Sequence, residues 1–174
     1  MKRLLLSLAM ATALVSAPLA VDTDGVGNLS NAEITQTAAD LHPGALYILA
    51  GRLLEEGRGQ EAANWMYAAQ LRYRFLIETG QDPMGQETLQ FNALSEQIGR
   101  PVNEYIAGDV DEWLAAMDWA LDWDATNDNG LTSKTAYAAE LKRVRDGLED
   151  LRAHVEANRE TIPQERTANG LQNR

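Results

Sequence analysis

Apolar residues recur at helical spacing along most of this 174-residue chain, and the clearest run occupies residues 137–155. Its members are Tyr137, Leu141, Val144, Leu148, Leu151 and Val155. Alternating steps of four and three residues place all six on one seam of a long helix. About two and a half heptads of this kind are typical both of a core helix in one bundle and of a helix paired with a second copy. We favour internal packing and leave a dimer, including a purely structural homodimer, as the alternative.

Two helical hairpins precede this helix. Pro43 suits the first turn of a helix that Gly57 ends, and a second helix follows from about residue 60 to residue 79. A shorter helix closed by Gly99 leads to another hairpin, whose turn is Gly108-Asp109. The sequence therefore predicts an all-α, single-domain bundle of antiparallel helical hairpins with a long C-terminal helix.

The N-terminus has the layout of a secretory signal peptide. Basic residues at positions 2 and 3 precede an apolar run, Leu4 to Val15, and small residues reach Ala20. An apolar run of about a dozen residues is too short for a bilayer core, which needs roughly 20. We predict export with removal of residues 1–20, by a cut after Ala20 or Ala17. The mature chain is expected to have no membrane span and to be periplasmic or secreted.

The mature chain divides into three parts. Residues 21–30 are polar, have little to bury and predict a flexible leader. Residues 31–160 form the predicted helical domain, long enough for one hydrophobic core without the help of disulfides, since the chain has no cysteine. Residues 161–174 form a polar tail that is predicted to be mobile or to lie across the surface.

The charge of the chain limits its partners. Removal of residues 1–20 takes away Lys2 and Arg3 and no acidic residue, which leaves 13 basic against 26 acidic residues and a formal charge of −13. Nucleic acid is excluded as a partner, because phosphate backbones are bound by clustered Lys and Arg. The same charge favours a basic protein or peptide.

The first hairpin has small residues where two helices must approach closely and large ones where each fills the other's groove. The positions are Leu46, Leu49, Ala50, Leu53, Gly57, Ala62, Met66 and Ala69. This set resembles one tetratricopeptide-type or Sel1-like helical repeat. Arg74 stands where the terminal proline of such a repeat would be.

A fainter second copy is offset by 51 residues, since Gly108, Met117 and Ala120 repeat the spacing of Gly57, Met66 and Ala69. The resemblance implies a scaffold that presents a protein- or peptide-binding surface rather than catalytic chemistry. The surrounding string also resembles small exported bacterial proteins, and from that likeness we infer no function.

Aromatic and arginine residues are the candidate binding residues. They are Trp113, Trp119 and Trp123 on one predicted helix, and Trp65, Tyr67, Arg72 and Arg74 on the second helix of the first hairpin. At least one of the three on the same helix is expected in the core, and because tryptophan is enriched at the energetic centres of interfaces, another is a candidate for an interface anchor. Arg72 and Arg74 are either solvated on both sides of a buried Tyr73, or one of them is buried against a carboxylate.

The sequence predicts no metal site and no cofactor. Its two histidines, His42 and His154, lie far apart, and neither has a second histidine at helical spacing. The loop from Asp122 to Gly130 is rich in oxygen ligands, but an EF-hand register would put Ala125 and Ala136 where carboxylates are required. A turn with a helix cap is the favoured interpretation, and a looser ion site stays open.

The predicted function is a non-enzymatic, exported protein-binding module of the bacterial cell envelope, of which an inhibitor or immunity-type protein is one form. The alternative is an all-α envelope hydrolase that acts on glycan or peptide with paired carboxylates. For that alternative, the first candidates are Glu104 and Asp109, which flank the second hairpin turn.

Overall fold

The computed structural model describes residues 23–174, so the predicted signal peptide lies outside the described residues. All regular structure in this part of the chain is helical, without a strand, which confirms the all-α prediction. The α-helices are α1 Thr23–Gly27, α2 Asn31–Thr37, α3 Pro43–Glu55, α4 Gly59–Glu78, α5 Gln86–Leu94, α6 Arg100–Ile106, α7 Val110–Thr126, α8 Ala138–Ala157 and α9 Ile162–Ala168. None of the helices between residues 23 and 174 is long and apolar enough to cross a membrane.

Helices α3 and α4 form the first predicted hairpin. His42 caps α3, because its Nδ1 accepts a hydrogen bond from the amide of Gly44, and Pro43 occupies the first turn. Gly57 ends α3 with a φ of 77°, a left-handed conformation that glycine adopts without steric cost. The residues that suggested the hairpin are buried between the two helices, Gly57 in the turn excepted.

Helix α4 is the central helix of the bundle. It packs against α3, α5, α6, α7 and α8. Alanines at positions 62, 63, 68 and 69 are fully buried, and such small side chains let neighbouring helices approach closely. The rest of the bundle is therefore organised around α4.

The predicted break at Gly99 is wrong. A π-helical turn, Ser95–Gly99, joins α5 directly to α6, so the chain stays helical from Gln86 to Ile106. Pro101 has no amide hydrogen to donate, and its position in the first turn of α6 makes that donor unnecessary. Leu89 on α5 is 70% exposed.

Helix α8 packs antiparallel to α7. Ion pairs join the two helices in reverse order along the chain: Arg145 with Asp124 and Arg152 with Asp118. Arg159, two residues beyond the end of α8, pairs with Asp111. The seam of α8 also faces α4, as internal packing predicts. Only its last member, Val155, is fully buried, and Leu151 remains 38% exposed.

Both ends of the described chain are held to the bundle. Val26 on α1 is buried, and the Arg52 guanidinium donates hydrogen bonds to the carbonyls of Val26, Gly27 and Leu29. From residue 23 onward, the segment predicted as a flexible leader contains α1 and packs on the bundle. The tail lies across the surface, where Arg174 stacks over the ring of Tyr105 at 3.7 Å.

Candidate functional site

An open groove runs along the second half of α4, between α5 and α8. We call it the α4 groove; its volume is about 610 Å³, within the range of about 300–1,000 Å³ that ligand pockets occupy. Its lining residues are Tyr67, Gln70, Leu71, Arg74, Ile77 and Glu78 from α4, Thr88, Phe91 and Asn92 from α5, and Arg143, Val144, Gly147, Leu148 and Leu151 from α8.

Tyr67 and Leu71 form the buried floor of the groove. The Tyr67 hydroxyl donates to Asn103 Oδ1 at 3.0 Å and accepts a hydrogen bond from the indole nitrogen of Trp113. Burial raises the pKa of Tyr67 to about 12. The hydroxyl therefore stays protonated and satisfied at neutral pH, which makes Tyr67 a structural residue of the floor.

The α5 wall is fixed at its base by Asp82 and by aromatic packing. The Asp82 carboxylate accepts hydrogen bonds from the amides of Glu87 and Thr88, which caps the start of α5. Phe91 packs against the ring of Tyr73 with a centroid separation of 5.3 Å. Phe91 and Thr88 are thus held facing the groove.

The same wall is tied to α3 by His42. Its Nε2 lies 2.9 Å from Glu87 Oε2, while its Nδ1 caps α3, so the ring is a neutral Nε2–H tautomer that donates to Glu87. Burial lowers the pKa of His42, and the nearby Glu87 only partly opposes this shift. The His42–Glu87 contact therefore links the start of α3 to the groove wall.

The α8 wall is apolar and contains a glycine. Val144, Leu148 and Leu151 line it, and all three are only partly covered by the rest of the chain. A Cβ atom at Gly147 would have no atom within 4 Å, so the space over this residue is empty. Glycine in the middle of a helix costs about 0.5–1 kcal/mol relative to alanine, and no internal contact of this chain requires it here.

Two arginines border the groove with different partners. Arg143 pairs with Glu78 at 3.0 Å and with Glu140 at 3.2 Å, which bridges α4 and α8 at one end. Arg74 lies over the ring of Phe91 at 5.4 Å and, among the described residues, forms no ion pair. An exposed cation without a carboxylate is thus held beside an apolar surface.

The structure brings only two of the seven sequence-predicted binding residues, Tyr67 and Arg74, to the groove. Trp119 and Trp123 stack on each other with a centroid separation of 6.2 Å, and the buried Trp65 packs edge-on against both at 5.0 and 5.3 Å. Trp113 turns its indole nitrogen inward to Tyr67. Helices α4 and α7 therefore use the tryptophans for packing within the chain.

Arg72 is buried, so the interpretation in which both arginines are solvated is wrong. It is 1% exposed, and its guanidinium lies 4.3 Å from the centre of the Trp123 ring. It donates hydrogen bonds to the carbonyls of Ala38, Ala39 and Asp128, so backbone oxygens take the place of the expected carboxylate. Arg72 thus fastens the end of α2 and the loop after α7 to the central helix.

The loop from Asp122 to Gly130 is organised by cationic side chains and by an asparagine turn. Asp124 is buried and pairs with Lys134 at 3.1 Å and Arg145 at 2.9 Å. Asn129 Oδ1 accepts hydrogen bonds from the amides of Leu131 and Thr132, as the favoured turn interpretation predicts. No cluster of three metal-ligating side chains occurs between residues 23 and 174.

The two carboxylates proposed for hydrolysis do not converge. Asp109 caps α7 by accepting the amide of Glu112 at 3.0 Å. Glu104 is exposed and lines a second cavity beneath the tail, next to Arg166 and Arg174. Neither cavity described here is lined by two carboxylates.

The α4 groove was not predicted from the sequence. The seam of the last helix singled out Val144, Leu148 and Leu151, but periodicity alone does not say that they stay partly uncovered. The one available signal was Gly147, a glycine inside an otherwise strongly helical run.

Comparison with protein-family models, with curated proteins and with solved structures gives no match. The tetratricopeptide or Sel1-like resemblance of the first hairpin therefore stays a prediction.

Proposed function

We propose that this chain is an exported, non-enzymatic helical module of the bacterial cell envelope that binds a protein or peptide in the α4 groove. The observation that carries the proposal is the empty space over Gly147. A helical glycine whose side-chain position is empty and which lines the groove leaves room for the close approach of another molecule. Val144 before it and Leu148 and Leu151 after it are only partly covered and supply apolar area for that contact.

The alternative, an envelope hydrolase, needs two carboxylates that face each other across a cleft. Glu78 is the one carboxylate that lines the α4 groove, and it is engaged by Arg143. Glu104 is the one acidic residue that lines the second cavity. These placements support binding over hydrolysis.

The charge of the chain suggests the kind of partner. A formal charge of −13 on residues 21–174 attracts a basic protein over long range and speeds its association. A basic toxin or a basic cell-wall enzyme would meet that requirement, and the module would then act as an immunity-type protein or an inhibitor.

The test uses two tryptophan variants on the same helix. Gly147→Trp fills the groove, while Ala153→Trp places the same ring on an exposed position of the opposite face of α8. Each protein, purified after expression of the full sequence and checked by circular dichroism, is used to capture partners from envelope extract. Captured proteins are identified by mass spectrometry and their binding is measured again with purified material.

The proposal predicts one defined partner that binds the wild type and the Ala153→Trp variant with equal affinity and loses affinity for Gly147→Trp at least tenfold. Equal binding to all three folded proteins would exclude the groove as the binding site.

A further inference from the structure

The α4 groove is bounded on three sides by helices. Its floor is the α4 segment from Tyr67 to Glu78, about 16 Å long at 1.5 Å per residue, and both walls are helices. Packed helices lie about 8–10 Å apart, so a helix laid between α5 and α8 would pack on α4 as a further member of the bundle. No strand occurs between residues 23 and 174 whose edge could accept an extended peptide instead.

Exposed apolar side chains also occur in and just before α5, outside the residues that line the groove. Met84, just before α5, is 77% exposed, and Leu89 follows the lining residue Thr88 and is 70% exposed. Leu151 adds exposed apolar area on the α8 wall. Apolar side chains that extend past a cavity are typical of a macromolecular contact rather than of a small-molecule pocket.

Gly147 marks the point where a helix bound in the groove would come closest to α8. Helices α4 and α8 run antiparallel, since Gln81 bonds to Tyr137 and Glu78 pairs with Arg143 further along α8. Four residues back from Glu78 is Arg74, and four residues on from Arg143 is Gly147, so these two residues lie roughly level across the groove. The point where a ligand would come closest to α8 therefore lies at the same level along the groove as Arg74, the cation without an ion pair.

We propose that the groove binds one amphipathic α-helix of a partner protein, which inserts apolar side chains between Phe91 and Leu148 and sets an acidic side chain against Arg74. This inference rests on the proposed function and adds the form and the charge of the ligand. Arg74 is held by the ring of Phe91 and has no carboxylate of its own in the described chain, so a ligand carboxylate would supply its first ion pair. The negative net charge of the chain attracts a basic partner protein over long range. The single cation Arg74 selects one acidic residue of the bound helix at short range.

The experiment selects binders from a displayed library of 18-residue amphipathic helices. The apolar positions at i, i+3, i+4 and i+7 and the flanking positions of these helices are randomised, and the target is the protein purified after expression of the full sequence. Affinities of the selected peptides are then measured for wild type, Gly147→Trp, Arg74→Glu and Arg58→Glu. Arg58 is an exposed arginine just before α4, outside the residues that line the groove, and serves as the matched charge control.

We expect the selected helices to share Asp or Glu at one flanking position. Arg74→Glu and Gly147→Trp each lower their affinity at least tenfold, and Arg58→Glu leaves it unchanged. Replacing the shared acidic residue by lysine in the peptide restores binding to Arg74→Glu, as an ion pair with exchanged charges requires.

Helices that are blocked by Gly147→Trp but are indifferent to Arg74→Glu would overturn the acidic contact and leave the proposed function standing. Failure to select any helix, while the envelope partner still binds through the groove, would overturn the helical form of the ligand. Capture of no partner by the wild type, or equal capture by the wild type and Gly147→Trp, would count against the proposed function, so the two failures are distinguishable.

Discussion

Arg72 and Arg74 stand two residues apart on α4, and their surroundings give them opposite roles. Arg72 points into the bundle, where three backbone carbonyls and the ring of Trp123 receive its guanidinium. Burial lowers the pKa of Arg72, and the charges of Asp124 and Asp40 oppose that shift. Arg74 reaches the edge of the groove, exposed to solvent. The pattern Arg-Tyr-Arg did not reveal which arginine would be buried, because that depends on what α2 and the loop after α7 bring to one side of α4.

Arg72→Met is expected to lower the free energy of unfolding by about 3 kcal/mol or more. Methionine keeps much of the side-chain volume but leaves one buried and two partly buried carbonyls without their charged donor. Urea denaturation monitored by tryptophan fluorescence measures the change. Arg74→Met, the matched control, should stay close to wild type, and equal losses in the two variants would contradict the assigned role of Arg72.

At the scale of the element, α8 combines a helix that the sequence predicts well with a surface that it does not. The four-and-three spacing located the helix and its apolar face correctly, because periodicity is a local property. The partial exposure of Leu148 and Leu151 depends on how far α5 stands from α8 across α4, which no local pattern records. Gly147 marks that gap, since the rest of the chain leaves its side-chain position empty.

Gly147→Ala is expected to raise the free energy of unfolding by about 0.5–1 kcal/mol, because alanine favours the helix and its methyl group meets no other atom. Thermal unfolding followed by circular dichroism measures the gain. A loss of stability would mean that the space over Gly147 is filled within the chain, which would remove the main support for the groove as a binding site.

The His42–Glu87 contact predicts a pH dependence for the link between α3 and α5. Burial lowers the pKa of His42 in the folded chain below its ordinary value near 6.5, so the unfolded chain binds a proton first as the pH falls. The contribution of His42 to stability is therefore complete above about pH 6.5 and is lost as the pH drops below that value.

His42→Asn keeps a side chain that can cap α3 and removes the titrating group. The difference in unfolding free energy between wild type and His42→Asn, measured from pH 7.5 to 5, should shift in favour of the variant as the pH falls. A difference that stays constant over this range would contradict the assigned pKa shift.

On the scale of the whole molecule, the hairpins were predictable and their assembly was not. Pro43, Gly57 and Asp109 fix the starts and ends of helices through their own backbone chemistry, and the structure places all three as predicted. The run from α5 to α6 was misread at Gly99 and Pro101, because a π-helical turn accommodates a proline that ordinarily marks a break. Tryptophans of α7 were candidates both for the core and for an interface anchor, and the bundle uses Trp119 and Trp123, packed against Trp65, to join α7 to α4.

The central claim is that the α4 groove, and no other face of α8, contacts the partner. Photo-crosslinking tests it most directly, with p-benzoylphenylalanine placed at Leu151 on the groove wall or at Ala153 on the opposite face, in cells that export the protein. We predict a discrete crosslinked product of defined mass from position 151 and none from position 153. Products of equal yield at both positions, or at position 153 alone, would contradict the claim.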